Sequence, residues 1–305
     1  MHRRHRLPRA QLRADARSDC QLMRSLVIGS TSTLGQALGQ ALAQLGEVRF
    51  AGRREADIPF DLSDWQTPAQ VNERFDLVVL AAADFGGPSA DDLVRAELVN
   101  SVGTLAACRL AQHCGARRVI LLSSLSALYQ PGDRYYGAYS LSKRHAEEVA
   151  ALFCAQQGLE LTVLRLSQVY DSQARCRRHQ PLLYAIADNA RAGQAQPFYG
   201  TLDARRNYLH LDDLGEICTR VAAQRVTGTF TCAHPEDLRL SQIARAAFEV
   251  FATPERISFD ASKPDLPDLP MASGCEALYQ RIGYWPATDL HTGLTRLKQH
   301  QEKHG

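Results

Sequence analysis

No run in this 305-residue chain reaches the roughly 18–20 consecutive apolar residues that a bilayer-spanning helix needs, so no membrane-spanning helix is expected. No excess of one charge is present either: 35 basic residues face 33 acidic ones for a net charge of +2, which gives no footprint for nucleic acid or another polyanion. The eight cysteines (Cys20, Cys108, Cys114, Cys154, Cys176, Cys218, Cys232, Cys275) never fall into C-x-x-C or any other metal-ligand spacing. No metal site is therefore expected. With no secretory apolar segment to go with them, the cysteines read as reduced thiols of a cytoplasmic protein, Cys108 and Cys154 within helical core patterns. Internal repeats and low-complexity blocks are also missing beyond the N-terminus.

What is present begins with a basic tail. His2 to Arg6, then Arg9, Arg13 and Arg17, make residues 1–22 an apolar-poor extension, with Met23 standing where a first strand should begin. From there to Tyr170 the chain alternates short apolar runs with helical periodicity. The strands are Leu26–Ile28, Val48–Ala51, Leu77–Ala81, Arg118–Leu122 and Leu161–Leu166; the helices cover 36–45, 96–114 and 139–157. That rhythm predicts an α/β fold, a Rossmann-type doubly wound parallel sheet spanning 23–170. Residues 206–230 are expected to return to it. Segments 171–205 and 231–305, with Pro264, Pro267 and Pro270 near the end, are expected to form a smaller α/β substrate-binding portion.

Gly29-Ser30-Thr31-Ser32-Thr33-Leu34-Gly35 follows the first strand and opens the first helix, where backbone N–H groups and the positive helix end suit a pyrophosphate. The usual spacing would place a third glycine at Ser32, a small residue whose hydroxyl can also donate to phosphate. The second strand ends in Arg53-Arg54. An acidic residue there would bind the ribose 2′-hydroxyl of NAD; arginine fits the 2′-phosphate of NADP, so NADP is the expected cofactor, with NAD the alternative and Arg53 its reader. Asp61-Leu62 is a candidate adenine contact.

Ser123-Ser124 closes the strand before the third helix, at the sheet edge where ligands of open α/β sheets bind. Tyr139 and Lys143 stand four residues apart, so a helix projects both from one face. A free phenol with a pKa of about 10 is a poor acid or base near neutrality. A lysine ammonium one turn away is expected to draw that pKa down toward working pH.

The chain at this point resembles the extended short-chain dehydrogenase/reductase family, the NAD-dependent epimerases and dehydratases. The matching positions are Gly29 to Gly35, Leu80-Ala81-Ala82-Ala83, Asn100 with Gly103-Thr104, Ser123-Ser124, Tyr139/Lys143, Leu164 to Tyr170, Arg206 to Asp213 and Ile282 to Pro286. The resemblance implies Tyr139 as acid/base, Lys143 as its tuner and ribose ligand, and Ser124 as substrate hydrogen-bonder, with Ser126 the fallback. It implies that Ala81, Ala82, Ala83 and Asn100 help hold the cofactor, and that Arg206 binds a substrate diphosphate, hence a nucleotide sugar. It also implies a homodimer through helices near 92–113 and 139–157.

Within that family, 4,6-dehydratases carry an Asp-Glu pair where this chain has Leu125-Ser126-Ala127, which speaks against elimination of water. Epimerases usually show an acidic residue at the position of Arg53. The pattern resembles reductases of 4-keto-6-deoxy nucleotide sugars, of the dTDP-rhamnose and GDP-fucose synthase types. The expected activity is therefore hydride transfer to a nucleotide-activated 4-keto sugar, or its epimerisation. An NAD-dependent epimerase and a reductase of a non-sugar carbonyl are the alternatives. A catalytically silent dinucleotide sensor would need only the glycine turn. His179, in the basic loop after Arg175, is expected to be solvent-exposed and outside the catalytic set.

Overall fold

Side chains alternate between the two faces of a sheet, so a strand in which every residue is apolar needs cover on both sides. The run Leu26–Ile28 of strand β1 (Ser25–Ile28) meets that condition: Leu26 and Ile28 enter one apolar cluster and Val27 another. The computed structural model describes residues 22–65, 71–269 and 273–304; the expected N-terminal extension through residue 21, Cys20 and Pro270 lie outside them.

From β1 the chain runs through α1 (Thr33–Leu42), β2 (Val48–Gly52), β3 (Ile58–Pro59), β4 (Leu77–Leu80), α2 (Ala90–Ala96), α3 (Gly103–His113), β5 (Arg118–Ser124), α4 (Ala138–Gln157) and β6 (Glu160–Leu166). It continues with β7 (Gln168–Tyr170), α5 (Pro181–Arg191), β8 (Gln196–Tyr199), β9 (Arg205–Arg206), β10 (Tyr208–His210), α6 (Leu211–Ala223) and β11 (Gly228–Cys232). Last come β12 (Leu238–Arg239), α7 (Leu240–Phe251), β13 (Ile257–Asp260), α8 (Glu276–Ile282) and α9 (Leu290–His304).

Seven of these strands form one parallel sheet in the order β11-β6-β5-β4-β1-β2-β3. The order reverses between β1 and β4, so the loops leaving their C-terminal ends diverge and open a crevice. On one face, α3 and α4 cover Leu26, Ile28, Val78 and Leu80; on the other, α1 and α6 cover Val27, Leu77 and Val79. This is the doubly wound α/β architecture expected from the sequence. Segment 206–230 supplies α6, packed on α1, and the edge strand β11.

A third apolar cluster gathers Tyr184, Ile186, Phe198, Ile243, Phe248 and Leu294 from α5, β8, α7 and α9 beside the sheet. Helix α8 departs from the expected division at residue 231: Leu278, Tyr279 and Ile282 belong to the sheet's own core. Tyr279 is held there by its hydroxyl, which exchanges hydrogen bonds with the backbone of Ala233.

The helix expected over 96–114 begins earlier, at Ala90, where Ser89 and Asp92 form a reciprocal capping box. Between α2 and α3 the chain winds as a wide π turn over Glu97–Val102. The extra residue in that turn shifts the helical phase, and it places Asn100 in the interior.

The seven described cysteines are all free and buried, as core residues. Burial pushes the thiols of Cys176 and Cys218 up to about 12 and that of Cys275 to about 11. An unfolded thiol gives up its proton near pH 8.5, so the stability tied to these raised values is complete below that pH and drains away above it. The melting temperature in reducing buffer is expected to fall by about 10 °C between pH 7.5 and pH 10. A flat melting profile over that range would contradict the assignment.

Candidate active site

The crevice at the β1/β4 reversal opens into a cleft of about 1220 Å³. Its floor begins at the glycine turn. Gly29 has φ +121°, a conformation that side chains disfavour, and a Cβ there would lie 3.1 Å from the Ala82 nitrogen. A Cβ on Gly35 would stand 2.2 Å from the Gly29 carbonyl oxygen. Both positions thus need glycine for close backbone approach. Ser32 does not: it is the N-cap of α1 in extended conformation (φ −74°, ψ 134°), its hydroxyl accepting from the Gly35 N–H and donating to the Ala81 carbonyl at 3.2 Å. The missing third glycine is therefore a capping serine that fixes the turn. The α1 N-terminus, unencumbered by acidic residues in its first turn, faces the cleft, and a helix N-terminus attracts anionic groups such as phosphate.

Ser32, Thr33, Leu34, Arg53, Asp61, Leu62, Ala81, Ala82 and Ala83 all line this cleft. Arg53 and Arg54 are exposed at the end of β2 and make no ion pair among the described residues; the Ser30 hydroxyl donates to the Arg54 carbonyl at 2.6 Å and holds that turn against β1. Asp61 accepts from the backbone and hydroxyl of Ser63 at 2.9 and 2.7 Å, which shapes the loop beneath Leu62. A nicotinamide dinucleotide fits these residues.

Two expected cofactor residues do not reach the cleft. Gly35 is buried in the first turn of α1, where its contribution is the close approach just described. Asn100 is 3% exposed and spends its amide elsewhere: Nδ2 donates to the Asp84 carbonyl (2.7 Å) and the Ser142 hydroxyl (2.9 Å), while Oδ1 accepts from the Asp84 N–H (2.8 Å). It clamps the loop after β4 to α4 and so sets the cleft wall from behind.

At the other end, Ser124 closes β5, and Tyr139 and Lys143 descend from the first turns of α4. Ser124 stands near enough to the Tyr139 phenol to lower its pKa, and its hydroxyl accepts from the Ser126 N–H at 3.1 Å, so both serines sit at the cleft wall. Arg144 donates to the Ala127 carbonyl at 3.1 Å and to that of Tyr129, and thereby straps the Ser126 turn onto α4. Lys143 is 3% exposed, and its ammonium donates to the Leu122 carbonyl at 2.6 Å.

The electrostatics differ from the sequence expectation. Burial pushes the Tyr139 phenol up to about 12, opposed by the Ser124 hydrogen bond, and Lys143 is not among the groups that lower it. Burial also draws Lys143 down to about 8, opposed by the charge of Glu147. Desolvation outweighs the through-space pull because the ammonium is turned to a backbone carbonyl. At neutral pH Tyr139 holds its proton, the state of a proton donor.

Arg206 also stands apart. It is 5% exposed, and one of its terminal nitrogens, Nη1, donates to the carbonyls of Arg205 (2.7 Å) and Pro267 (3.0 Å) rather than into the cleft. Residues the sequence reading left without a role do line the cleft: Phe85, Arg178, His179, Gln168 and Asn207. Of these, only Gln168 and Asn207 lay inside recognisable motif stretches.

Comparison with known proteins places this geometry. The chain is 23% identical over 218 residues to UDP-glucuronic acid decarboxylase 1 of Danio rerio, covering 66% of this chain and 51% of that protein. It is 29% identical over 130 residues to dTDP-4-dehydro-6-deoxy-D-allose reductase of Streptomyces bikiniensis, covering 41% of this chain and 39% of that protein. These matches thus span about half or less of the curated relatives' length. The fold matches that of UDP-glucose 4-epimerase from Thermotoga maritima, solved with UDP-glucose, at a TM-score of 0.75 and 17% identity over 92% of this chain and 99% of that one. The model of the NAD dependent epimerase/dehydratase family matches residues 25–232. Since that stretch contains every strand of the central sheet together with Ser124, Tyr139 and Lys143, the chain belongs to the NAD dependent epimerase/dehydratase family.

Proposed function

We propose that the protein is an NADP-dependent reductase of a nucleotide-activated 4-keto sugar. The observation that carries this reading is the meeting of Ser124, Tyr139 and Lys143 at one end of a cleft whose other end exposes Arg53 and Arg54. A nicotinamide dinucleotide held along Gly29, Ser32 to Leu34 and Ala81 to Ala83 would supply hydride for the carbonyl carbon. Tyr139, protonated at neutral pH, gives its proton to the carbonyl oxygen, and Ser124 orients that oxygen. Lys143, charged below about pH 8, keeps a positive charge one helical turn from Tyr139, and solvent returns the proton. The absence of an Asp-Glu pair at Leu125-Ser126-Ala127 supports reduction over dehydration.

The test is NADPH oxidation against a panel of 4-keto nucleotide sugars, with mass spectrometry of any ligand that co-purifies. Retention of NAD through purification without NADPH oxidation by any keto sugar replaces the reductase with an epimerase. For the cofactor, Arg53→Ala combined with Arg54→Ala is expected to weaken NADPH binding by about 10–100-fold and leave NADH unchanged. Equal losses for both cofactors, read by fluorescence titration, would remove the 2′-phosphate role.

A homodimer is part of the proposal. Leu93 and Val94 on α2 and Leu152 on α4 leave 41%, 57% and 62% of their surfaces exposed, on the helices where a second copy is expected to dock. Light scattering on the purified protein reads the result directly. Among the described residues no helix is long and apolar enough to cross a membrane.

A further inference from the structure

Phe85 is a large apolar residue that the cleft leaves in water: 53% exposed, at the boundary between the dinucleotide half and the half built from the loop after β7. Its ring stacks on Tyr139 (centroids 5.0 Å apart, planes 19° apart) and on His179 (4.4 Å, 21°). With no ring contact between Tyr139 and His179 themselves, Phe85 is the middle member of the stack.

Its backbone is well held. Asn100 fixes both polar groups of Asp84, Arg95 reaches the Asp84 carboxylate at 2.8 Å, and that carboxylate accepts from the Gly86 N–H at 2.7 Å. A phenylalanine held this firmly at the mouth of a polar cleft, stacked on the proton donor, still leaves half of its surface in water. Such a residue contributes when a ligand covers it.

His179 is held quite differently. The loop backbone is pinned by Asp171, whose buried carboxylate accepts from the Cys176 N–H (3.1 Å), the Arg175 side chain (2.9 Å) and the Tyr184 hydroxyl (2.8 Å). The His179 N–H donates to the Cys176 carbonyl at 2.9 Å. The imidazole, in contrast, has no hydrogen-bond partner among the described residues. Burial and the neighbouring Arg178 charge lower its pKa, so at neutral pH it lies on Phe85 as a flat uncharged ring. A side-chain rotation alone would vacate the face it covers.

We infer that Phe85 is a substrate-contacting residue whose ring face receives the sugar of the nucleotide-sugar substrate, and that the His179 imidazole holds that place until the substrate arrives. The inference rests on the nucleotide-sugar reading given above. A pyranose presents C–H groups on its faces and hydroxyls at its rim, so one face suits an aromatic ring while the rim stays in polar surroundings. Here the rim would meet Ser124, Ser126 and Gln168, all lining the same cleft. Gln168 is fixed at that wall by its side-chain nitrogen, which donates to the Gln180 side-chain oxygen at 2.8 Å.

The test is calorimetric titration of the NADP-loaded enzyme with UDP, dTDP and GDP, each beside its sugar conjugate (UDP-glucose, dTDP-glucose, GDP-mannose). Phe85→Ala is expected to cost about three- to tenfold in affinity for the sugar conjugate and nothing for the bare nucleoside diphosphate, with Phe85→Trp restoring the difference. His179→Ala is expected to leave the sugar-conjugate affinity unchanged or higher. Phe85→Ala binding both ligands like the wild type overturns the role of Phe85 and leaves the reductase reading standing. A loss in His179→Ala as large as in Phe85→Ala overturns the place-holding role. Failure of the wild type to bind any of the six ligands overturns the nucleotide-sugar reading, and this inference with it.

Discussion

Tyr139→Phe is expected to lower turnover by about 10²–10⁴-fold while NADPH affinity stays within about twofold of the wild type. The variant keeps the ring that stacks on Phe85 and removes only the hydroxyl beside Ser124, so the cleft wall stays in place. Loss confined to kcat is the signature of a group that acts in the transition state. The alternative of a silent dinucleotide sensor makes the opposite forecast, since a sensor has no turnover to lose and its cofactor response would survive. Single-turnover hydride transfer, followed as loss of NADPH absorbance, separates the two. If Tyr139→Phe transfers hydride to substrate at the wild-type rate, the proton donor lies elsewhere.

The parts of this site that could be read from sequence are those fixed by short-range spacing at strand ends. Gly29 to Gly35 and Ser124 sit where a buried apolar run stops, and the parallel sheet delivers those stops to one edge, while the Tyr139/Lys143 pair is set by its four-residue spacing on α4. Residues whose side chains are claimed by distant partners were not legible in the same way. Arg206 turns to Pro267, and Asn100 turns to Asp84 and Ser142; nothing near either residue in the chain announces those partners. The Tyr139 pKa went the same way: spacing counts the lysine but not the desolvation, and desolvation wins. Phe85 is a lone aromatic after an alanine run, and its stack with His179 exists only once the loop after β7 is folded over it. The π turn was hidden too, because one additional residue within an apolar helix barely disturbs its periodicity.

Glu147 is the other position where one substitution should have a large effect. It follows Lys143 by one turn, so Tyr139, Lys143 and Glu147 form a single stripe on the face of α4 that meets β5. The carboxylate is 8% exposed and accepts from the Ser123 hydroxyl and from Arg165 through Nε (3.0 Å) and Nη2 (2.6 Å). Ser123 and Arg165 are register neighbours on β5 and β6, so one side chain ties the helix to two strands at the cleft floor. Removing one partner of such a pair leaves the other without its counter-charge. Glu147→Leu should therefore cost about 3 kcal/mol, the low end for buried pairs because Arg165 keeps some contact with water. Glu147→Leu combined with Arg165→Leu should recover part of that loss in urea melts.

Glu147→Gln tests the electrostatic half of the argument with the shape kept. The Glu147 charge raises the Lys143 pKa against burial; without it Lys143 loses its proton below the wild-type value of about 8. With the charged form of Lys143 taken as the active one, kcat/KM should fall as pH rises past about 8 in the wild type. In Glu147→Gln the fall should begin roughly one unit lower. An alkaline limb that stays in place would mean that Lys143 takes its charge state from other groups. A limb that moves while the melting curve barely changes would assign Glu147 to the chemistry and leave the helix anchored by its apolar neighbours, Ala146, Ala150 and Cys154.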